Sequence, residues 1–279
     1  MCKGPLDYSL SLSDRLARSS AQLFQHTPIV AFGYIKIFAS GEMLHLSSNK
    51  VWLETCYHNN IFDCPNYFIY ALKAVELNKF GFVVRTGAPK DIVQTSAQNF
   101  GFLNSLIVSR KNSSYVELFA FHAPEILGVI DLYINHTHLF KKFALHFLDD
   151  FHSAISFDNN TMLHRLKEVS ARVKELFVFE KEISENVDTL HSVAPFKRLY
   201  IDDKFYITLR QAQCIALIMQ GKSAKETARA LGISFKTVEH TLEAIKNVFG
   251  INNKSDLASL VIKNDLQDIF LKDFVRFCA

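Results

Sequence analysis

Along the first 157 residues the spacing of apolar positions changes period several times, and each change marks a new element. Leu12, Leu16, Leu23 and Phe24 form an apolar stripe that predicts an opening helix over 10–26, with Ser11 or Ser13 able to cap it. The run IVAFGYIKIFA (29–39) is β-branched and aromatic, then Ser40-Gly41 interrupts it and EMLHLSS resumes. Two strands around a short glycine-containing turn are the expectation there. NKVWLETCYHN (49–59) and NYFIYALKAVELNKF (66–80) return to helical spacing, and FGFVVRT (80–86) reads as a strand. SLIVSR, KNSS and YVELFAFH (105–122) predict a second hairpin. A long helical pattern then runs from about Pro124 to Phe157, with a break near Asn135.

Helix, hairpin, helices, strand, hairpin, long helix is the order of an α+β domain: an antiparallel sheet with helices on its faces, the plan of PAS, GAF and autoinducer-binding sensor domains. TMLHRLKEVSARVKELF (161–177) places Met162, Leu166, Val169, Val173 and Leu176 at spacings of four and three. Two heptads of this kind predict a helical linker, packed as an amphipathic helix or serving as a dimerising connector. The expected organisation is a sensor-like domain over 1–157, a linker over 158–200, a second domain over 201–265 and a tail over 266–279.

From Tyr206 onward the punctuation is all helical. Thr208 and Gln211 match a capping box ahead of Cys214, Ile215, Leu217, Ile218 and Met219, and Gly221 closes that helix. Ser223 and Glu226 form a second box ahead of Ala228 and Leu231, closed by Gly232. Ser234 caps a third helix ending at Gly250, and a fourth begins near Ser255-Asp256. The LGIS turn between the second and third is a helix-turn-helix signal: a glycine for the left-handed residue, an apolar plug, and a serine cap. On the third helix Val238, Leu242, Ile245 and Phe249 share one face, while Lys236, Glu239, His240, Glu243 and Asn247 lie opposite, where a recognition helix meets the major groove.

The residues Gly221, Ser223, Lys225-Glu226, Ala228, Leu231, Ile233-Ser234, Lys236-Thr237-Val238-Glu239, Ile245 and Gly250 resemble, in register, the LuxR-type (NarL/FixJ-like) DNA-binding domain of bacterial transcription regulators. The resemblance spans 207–262 and implies a tetrahelical helix-turn-helix domain that binds double-stranded DNA as a homodimer. It places Ser223 and Lys225 near the sugar–phosphate backbone, and Lys236 and Thr237 on the turn that approaches phosphates and base edges. His240 and Glu243 fall where members discriminate sequence, Lys246 lies on the same polar face, and Glu239 belongs to the family's own motif. Four departures remove charge or a ring donor: Thr241 replaces a histidine, Val248 a lysine and Gln211 a glutamate, and the family's arginine after the glycine is replaced around Asn253-Lys254-Ser255. The alternative is a degenerate helix-turn-helix serving as a protein-interaction module, with no ligand.

For the front domain, LuxR-type regulators imply a sensor of a small molecule or partner. Trp52, Tyr57 and Asp63-Cys64-Pro65 resemble, at different spacings, the Trp, Tyr and Asp-Pro residues of autoinducer-binding domains. Tyr34, Trp52, Tyr57, Tyr67 and Tyr70 are the candidate lining residues, since aromatic rings with a polar tip suit a mostly apolar pocket. A phosphorylation receiver is not expected, because no doubly wound pattern with its acidic pair is present.

Composition changes this picture little. Sixteen of the 25 phenylalanines precede residue 158, as an aromatic-packed front domain requires. Net charge is only +3, and 201–263 carries nine Lys and Arg against six Asp and Glu. Cys2, Cys56, Cys64, Cys214 and Cys278 show no CxxC spacing and read as reduced thiols of a cytoplasmic protein. His136, His138, His146, Asp149 and His152 do not have zinc-ligand spacing. With no GxSxG, P-loop or GxGxxG present, neither an enzyme nor a cofactor is expected. The most apolar stretch, 116–134, is broken by Glu117, His122, Pro124, Glu125 and Asp131, so no membrane helix is expected.

Overall fold

The computed structural model describes residues 4–63, 79–86, 92–156, 162–165, 198–201, 205–251, 254–264 and 266. The chain divides into two compact units: Met1–Ala144 with Ala154–Val193, and Leu145–Ser153 with Ala194–Ala279.

The first unit is built on a six-stranded sheet. Its strands are β1 (Ala31–Phe38), β2 (Glu42–Ser47), β3 (Phe80–Arg85), β4 (Asn104–Lys111), β5 (Tyr115–Ala123) and β6 (His164–Arg165). Their spatial order is β3-β4-β5-β1-β2-β6, with every pairing antiparallel. Both expected hairpins form. Gly41, at φ 93°, closes the first, and its N–H donates to the Phe38 carbonyl. In the second, Asn112 Oδ1 accepts from the amides of Ser114 and Tyr115, an Asx-type turn. The helices are α1 (Pro5–Ser19), α2 (Ala21–His26), α3 (Lys50–His58), α4 (Ile92–Gln98), α5 (Val129–Asn135) and α6 (Thr137–Ile155), whose stretch Leu145–Ser153 is counted with the second unit. The single expected opening helix is interrupted at Ser20, and the long pattern breaks at His136, one residue beyond Asn135.

Residues 31–37 are buried without alternation, so β1 is covered on both faces, which is why its sequence is almost continuously apolar. Directly opposed cross-strand partners share a face. One face carries Phe32, Tyr34, Lys36, Phe119, Phe121, Leu106 and Val108. There Phe32 meets Phe143 at 4.9 Å and Phe121 meets Phe140 at 4.8 Å, tilted or edge-on contacts each worth about 0.5–1.5 kcal/mol beyond burial. The other face carries Ala31, Ile35, Ile37, Met43, Val116, Leu118 and Ile107, packed with Trp52, Cys56, Ile61, Phe62 and Phe102.

His164 and Arg165 pair with Met43 and Glu42 as a strand, where the helical seam starting at Met162 was expected. Two residues there satisfy part of the otherwise open edge of β2. Leu166, Val169, Val173 and Leu176 of that seam lie outside the described residues.

The second unit opens with a two-stranded ribbon, β7 (Arg198–Tyr200) and β8 (Tyr206–Thr208). Four helices follow: α7 (Leu209–Met219), α8 (Ala224–Leu231), α9 (Phe235–Phe249) and α10 (Lys254–Lys263). Cys214, Ala228 and Val238 form the centre of their core, with Ala224, Leu231, Ile233 and Leu242 around them. The two units have the expected classes: an antiparallel sheet with helices, and a four-helix domain containing the helix-turn-helix.

Candidate nucleic-acid interface

Each helix of the second unit that the sequence caps is capped in the structure. Thr208 Oγ1 accepts from the Gln211 amide, and Gln211 Oε1 returns to the Thr208 amide at 2.8 Å. Ser223 and Glu226 repeat this arrangement, with the Ser223 amide donating to Glu226 Oε2 at 2.8 Å. The Ser223 amide and hydroxyl together hold the Glu226 carboxyl below the ordinary glutamate range. Ser234 Oγ accepts from the Thr237 amide at 3.0 Å.

Between α8 and α9 the chain turns on Gly232, at φ 62° and ψ 36°. This left-handed residue lets the Ile233 amide reach back to the Ala228 carbonyl at 3.0 Å and buries part of Ile233 in the core. The turn thereby fixes the angle at which α9 leaves α8.

On α9, Val238 and Ile245 are buried and Leu242 and Phe249 are half-buried, so one face faces the core. Lys236, Thr237, Glu239, His240, Glu243 and Asn247 are exposed on the rest of the helix. Lys225 is exposed at the start of α8, and Ser223 is its cap. The structure therefore gathers all eight sequence-identified residues on α9 and the first turn of α8, but in different states. The Ser223 hydroxyl is occupied by Glu226 at 2.7 Å, and the Thr237 hydroxyl lies 2.8 Å from that of Ser234. Lys246 is half-buried with its ammonium 3.9 Å from Glu243, which lowers the field that phosphates would meet. Thr241, in the position of the family histidine, donates its hydroxyl to the Thr237 carbonyl at 2.8 Å and so faces its own helix. Glu243, Lys246 and Asn247 with Gly250 and Ile251 line an open groove of about 330 Å³ at the far end of α9. Sequence reasoning left out Arg229, which is exposed in the last turn of α8 and adds a cation to this unit.

The candidate lining residues of the first unit do not form one group. Trp52 packs edge-on against Phe100 at 5.3 Å and Phe102 at 5.6 Å, and Tyr57 against Phe62 at 5.1 Å, all in one layer. Tyr34 points from the opposite face of β1 and donates its hydroxyl to Glu117 Oε1 at 2.7 Å. The cause is the two-residue period of a strand, which sends Tyr34 away from its neighbours Gly33 and Ile35. Tyr67 and Tyr70 lie outside the described residues.

Two residues that sequence reasoning passed over stand in the Trp52–Tyr57 layer's sheet face: His45 of β2 and His122 of β5. Burial, reinforced by His122 for the first and Arg85 for the second, pushes each imidazole down to about 3. The available signal was a histidine at an inward register position of an apolar strand, in EMLHLS and FAFHA. Among the described residues no three His, Cys, Asp or Glu side chains stand together as a metal site.

Residues 206–261 match the family described as GerE, bacterial regulatory proteins, luxR family. The C-terminal unit is thus a LuxR-family helix-turn-helix domain. No curated protein matches the chain. Among solved structures, SdiA in complex with octanoyl-rac-glycerol aligns at 10% identity and TM-score 0.32, covering 93% of this chain and 88% of that one. A crystal structure of Escherichia coli SdiA aligns at 12% identity and TM-score 0.32, covering 91% of each chain. Similarity that low leaves the fold to be argued from the strands and helices themselves. No helix among the described residues is long and apolar enough to cross a membrane.

Proposed function

We propose that this chain is a cytoplasmic transcription regulator: α9 reads the major groove of double-stranded DNA in a homodimer, and the sheet domain senses a small molecule. The observation that carries the reading is the in-register motif on a fully capped α8–turn–α9, which leaves Lys236 and His240 exposed beside a helix N-terminus. Phosphate is favoured there, because the first amides of a helix lack internal partners and its dipole is positive at that end. Ser223, Lys225, Lys236 and Thr237 hold the backbone, while Glu239, His240, Glu243 and Lys246 face base edges and neighbouring phosphates. Pairing two copies compensates for a helix short of cations, since each half-site contributes its own contacts. The domain boundaries of this reading are those expected from the sequence, except that His164-Arg165 counts with the sheet domain and Arg198–Tyr200 with the helix-turn-helix domain.

The test is competition binding of the purified chain against fragmented genomic DNA. A sequence-dependent, salt-sensitive site that outcompetes random duplex supports the reading, and the absence of any such fragment overturns it. The exposed Val248 and Phe235 on α9 favour a second reading, a helix-turn-helix used to bind protein. Under it, neutralising Lys225 and Lys236 together leaves the regulatory output unchanged.

A further inference from the structure

The first turn of α9 presents one large apolar side chain among polar ones. Phe235 directly follows the Ser234 cap and is 40% exposed. Among the described residues the core of this unit closes without it: Cys214, Ala228 and Val238 stand at the centre, with Ala224, Leu231, Ile233 and Leu242 packed around them. Val238 of the same turn is fully buried and supplies that turn's core contact. Phe235, Glu239 and Glu243 are exposed at intervals of four residues, so they follow one another along one side of α9. A single exposed ring needs no explanation on an ordinary surface, but this one stands where the chemistry around it is incomplete. The Ser234 hydroxyl accepts from the Thr237 amide at 3.0 Å and lies 2.8 Å from the Thr237 hydroxyl, and the Thr241 hydroxyl donates to the Thr237 carbonyl at 2.8 Å. Lys236 and His240 offer donors, and Glu239 and Glu243 offer acceptors. Neither kind detects the 5-methyl group of thymine, which an apolar contact recognises in the major groove.

We propose that Phe235 is a specificity-determining residue whose ring packs on the 5-methyl group of a thymine in each half-site. The inference rests on the reading of α9 as the recognition helix and deepens it, because the N-terminal residues of such a helix are the ones that meet base edges. The Ser234 cap fixes the backbone that presents the ring, so the contact is aimed by the same bonds that start the helix. Packing of a ring on a methyl group involves no charge and releases no counterion. Its signature therefore differs from that of the neighbouring Lys236, whose contact with phosphate is salt-dependent and blind to sequence.

The probe is the duplex selected from genomic DNA, remade with each thymine in turn replaced by deoxyuridine, which lacks only the methyl group. Binding of the full-length protein is expected to weaken by about threefold to fivefold at a single thymine position of the half-site, the loss of one buried methyl group. Phe235→Ala should bind the unmodified duplex less tightly and should no longer distinguish it from the deoxyuridine duplex, while its salt slope stays that of the wild type. Phe235→Leu, which keeps an apolar side chain, should retain most of the distinction. Equal binding of every deoxyuridine duplex by the wild type, or a thymine preference that survives in Phe235→Ala, overturns the role of Phe235 and leaves α9 as the recognition helix. An affinity for the selected duplex that is unchanged in Phe235→Ala overturns it too, and assigns the exposed ring to a protein partner instead. If no duplex outcompetes random DNA, the reading of α9 itself fails and the role of Phe235 falls with it.

Discussion

Arg110 closes on Glu117 across β4 and β5, its Nε and Nη2 donating to Oε2 at 2.8 and 2.5 Å, with both side chains nearly excluded from solvent. The second carboxylate oxygen accepts from Tyr34, and Lys36 stands directly opposite Glu117 in the β1–β5 register. Lys36 in turn lies over the Tyr115 ring at 3.9 Å and donates to the Ile155 carbonyl. Among the described residues Glu117 is thus the carboxylate that holds Arg110 and stands opposite Lys36. Glu117→Ala should destabilise the sheet unit by about 3–5 kcal/mol, because the loss strands buried charge rather than merely deleting an attraction. Urea unfolding followed by Trp52 fluorescence measures it, and a loss under about 1 kcal/mol would show that the cluster does not hold the sheet together.

Acid should loosen this unit before the helix-turn-helix unit. His45 and His122 are neutral in the fold, at about 3, against an ordinary 6.5 in the unfolded chain. Between those values the unfolded state binds more protons, so stability is complete above pH 6.5 and is lost as pH falls toward 3. Each histidine contributes a slope of about 1.4 kcal/mol per pH unit in that window. Urea midpoints collected from pH 7 to 4 should fall accordingly, and His45→Phe should remove about one proton's worth of slope. An unaltered slope in that variant means that His45 is not buried neutral.

Capping predicts separate losses in the second unit. Ser223→Ala removes the acceptor for the Glu226 amide and should cost about 1 kcal/mol. Gly232→Ala meets no neighbouring atom, yet it must hold a left-handed φ of 62°, at about 1–2 kcal/mol. Thermal melts followed by helical circular dichroism check both. A neutral Gly232→Ala would mean that the α8–α9 turn can be made another way.

How much of this was legible beforehand differs between the units. In the second unit nearly every boundary was, because caps act within three or four residues: Thr208 to Gln211, Ser223 to Glu226, Ser234 to Thr237. Both hairpins of the first unit were legible for the same local reason. The ligand candidates were less so. Tyr34 looked equivalent to Trp52 until strand parity set it on the far face, tied to Glu117, which is 83 residues away in sequence. His45 and His122 gave only their inward position in an apolar strand, since what packs over them, Phe62 on the first and Phe102 on the second, arrives from elsewhere in the chain. His164 pairing with Met43 is likewise a contact at one edge of the sheet between residues far apart in sequence, which helical spacing could not foresee.

Charge on α9 sets the last expectation. Lys236 is exposed at the first turn of the helix, and Lys246 is held near Glu243 at the last. Lys236→Ala should weaken binding to every duplex and lower the slope of log affinity against log salt by about one, the signature of one lost phosphate contact. Glu243→Gln separates two roles for the carboxylate. If Glu243 only repels phosphate, the variant tightens all sequences alike and frees Lys246 to add about one unit of salt slope. If Glu243 accepts from an exposed cytosine amine, the variant loses its preference at one base position while non-specific affinity rises little. Binding isotherms over a salt series, on the selected site and on random duplex, distinguish these outcomes. A uniform shift would take Glu243 out of sequence readout and leave the hydrogen-bonding discrimination to Glu239, His240 and Lys246.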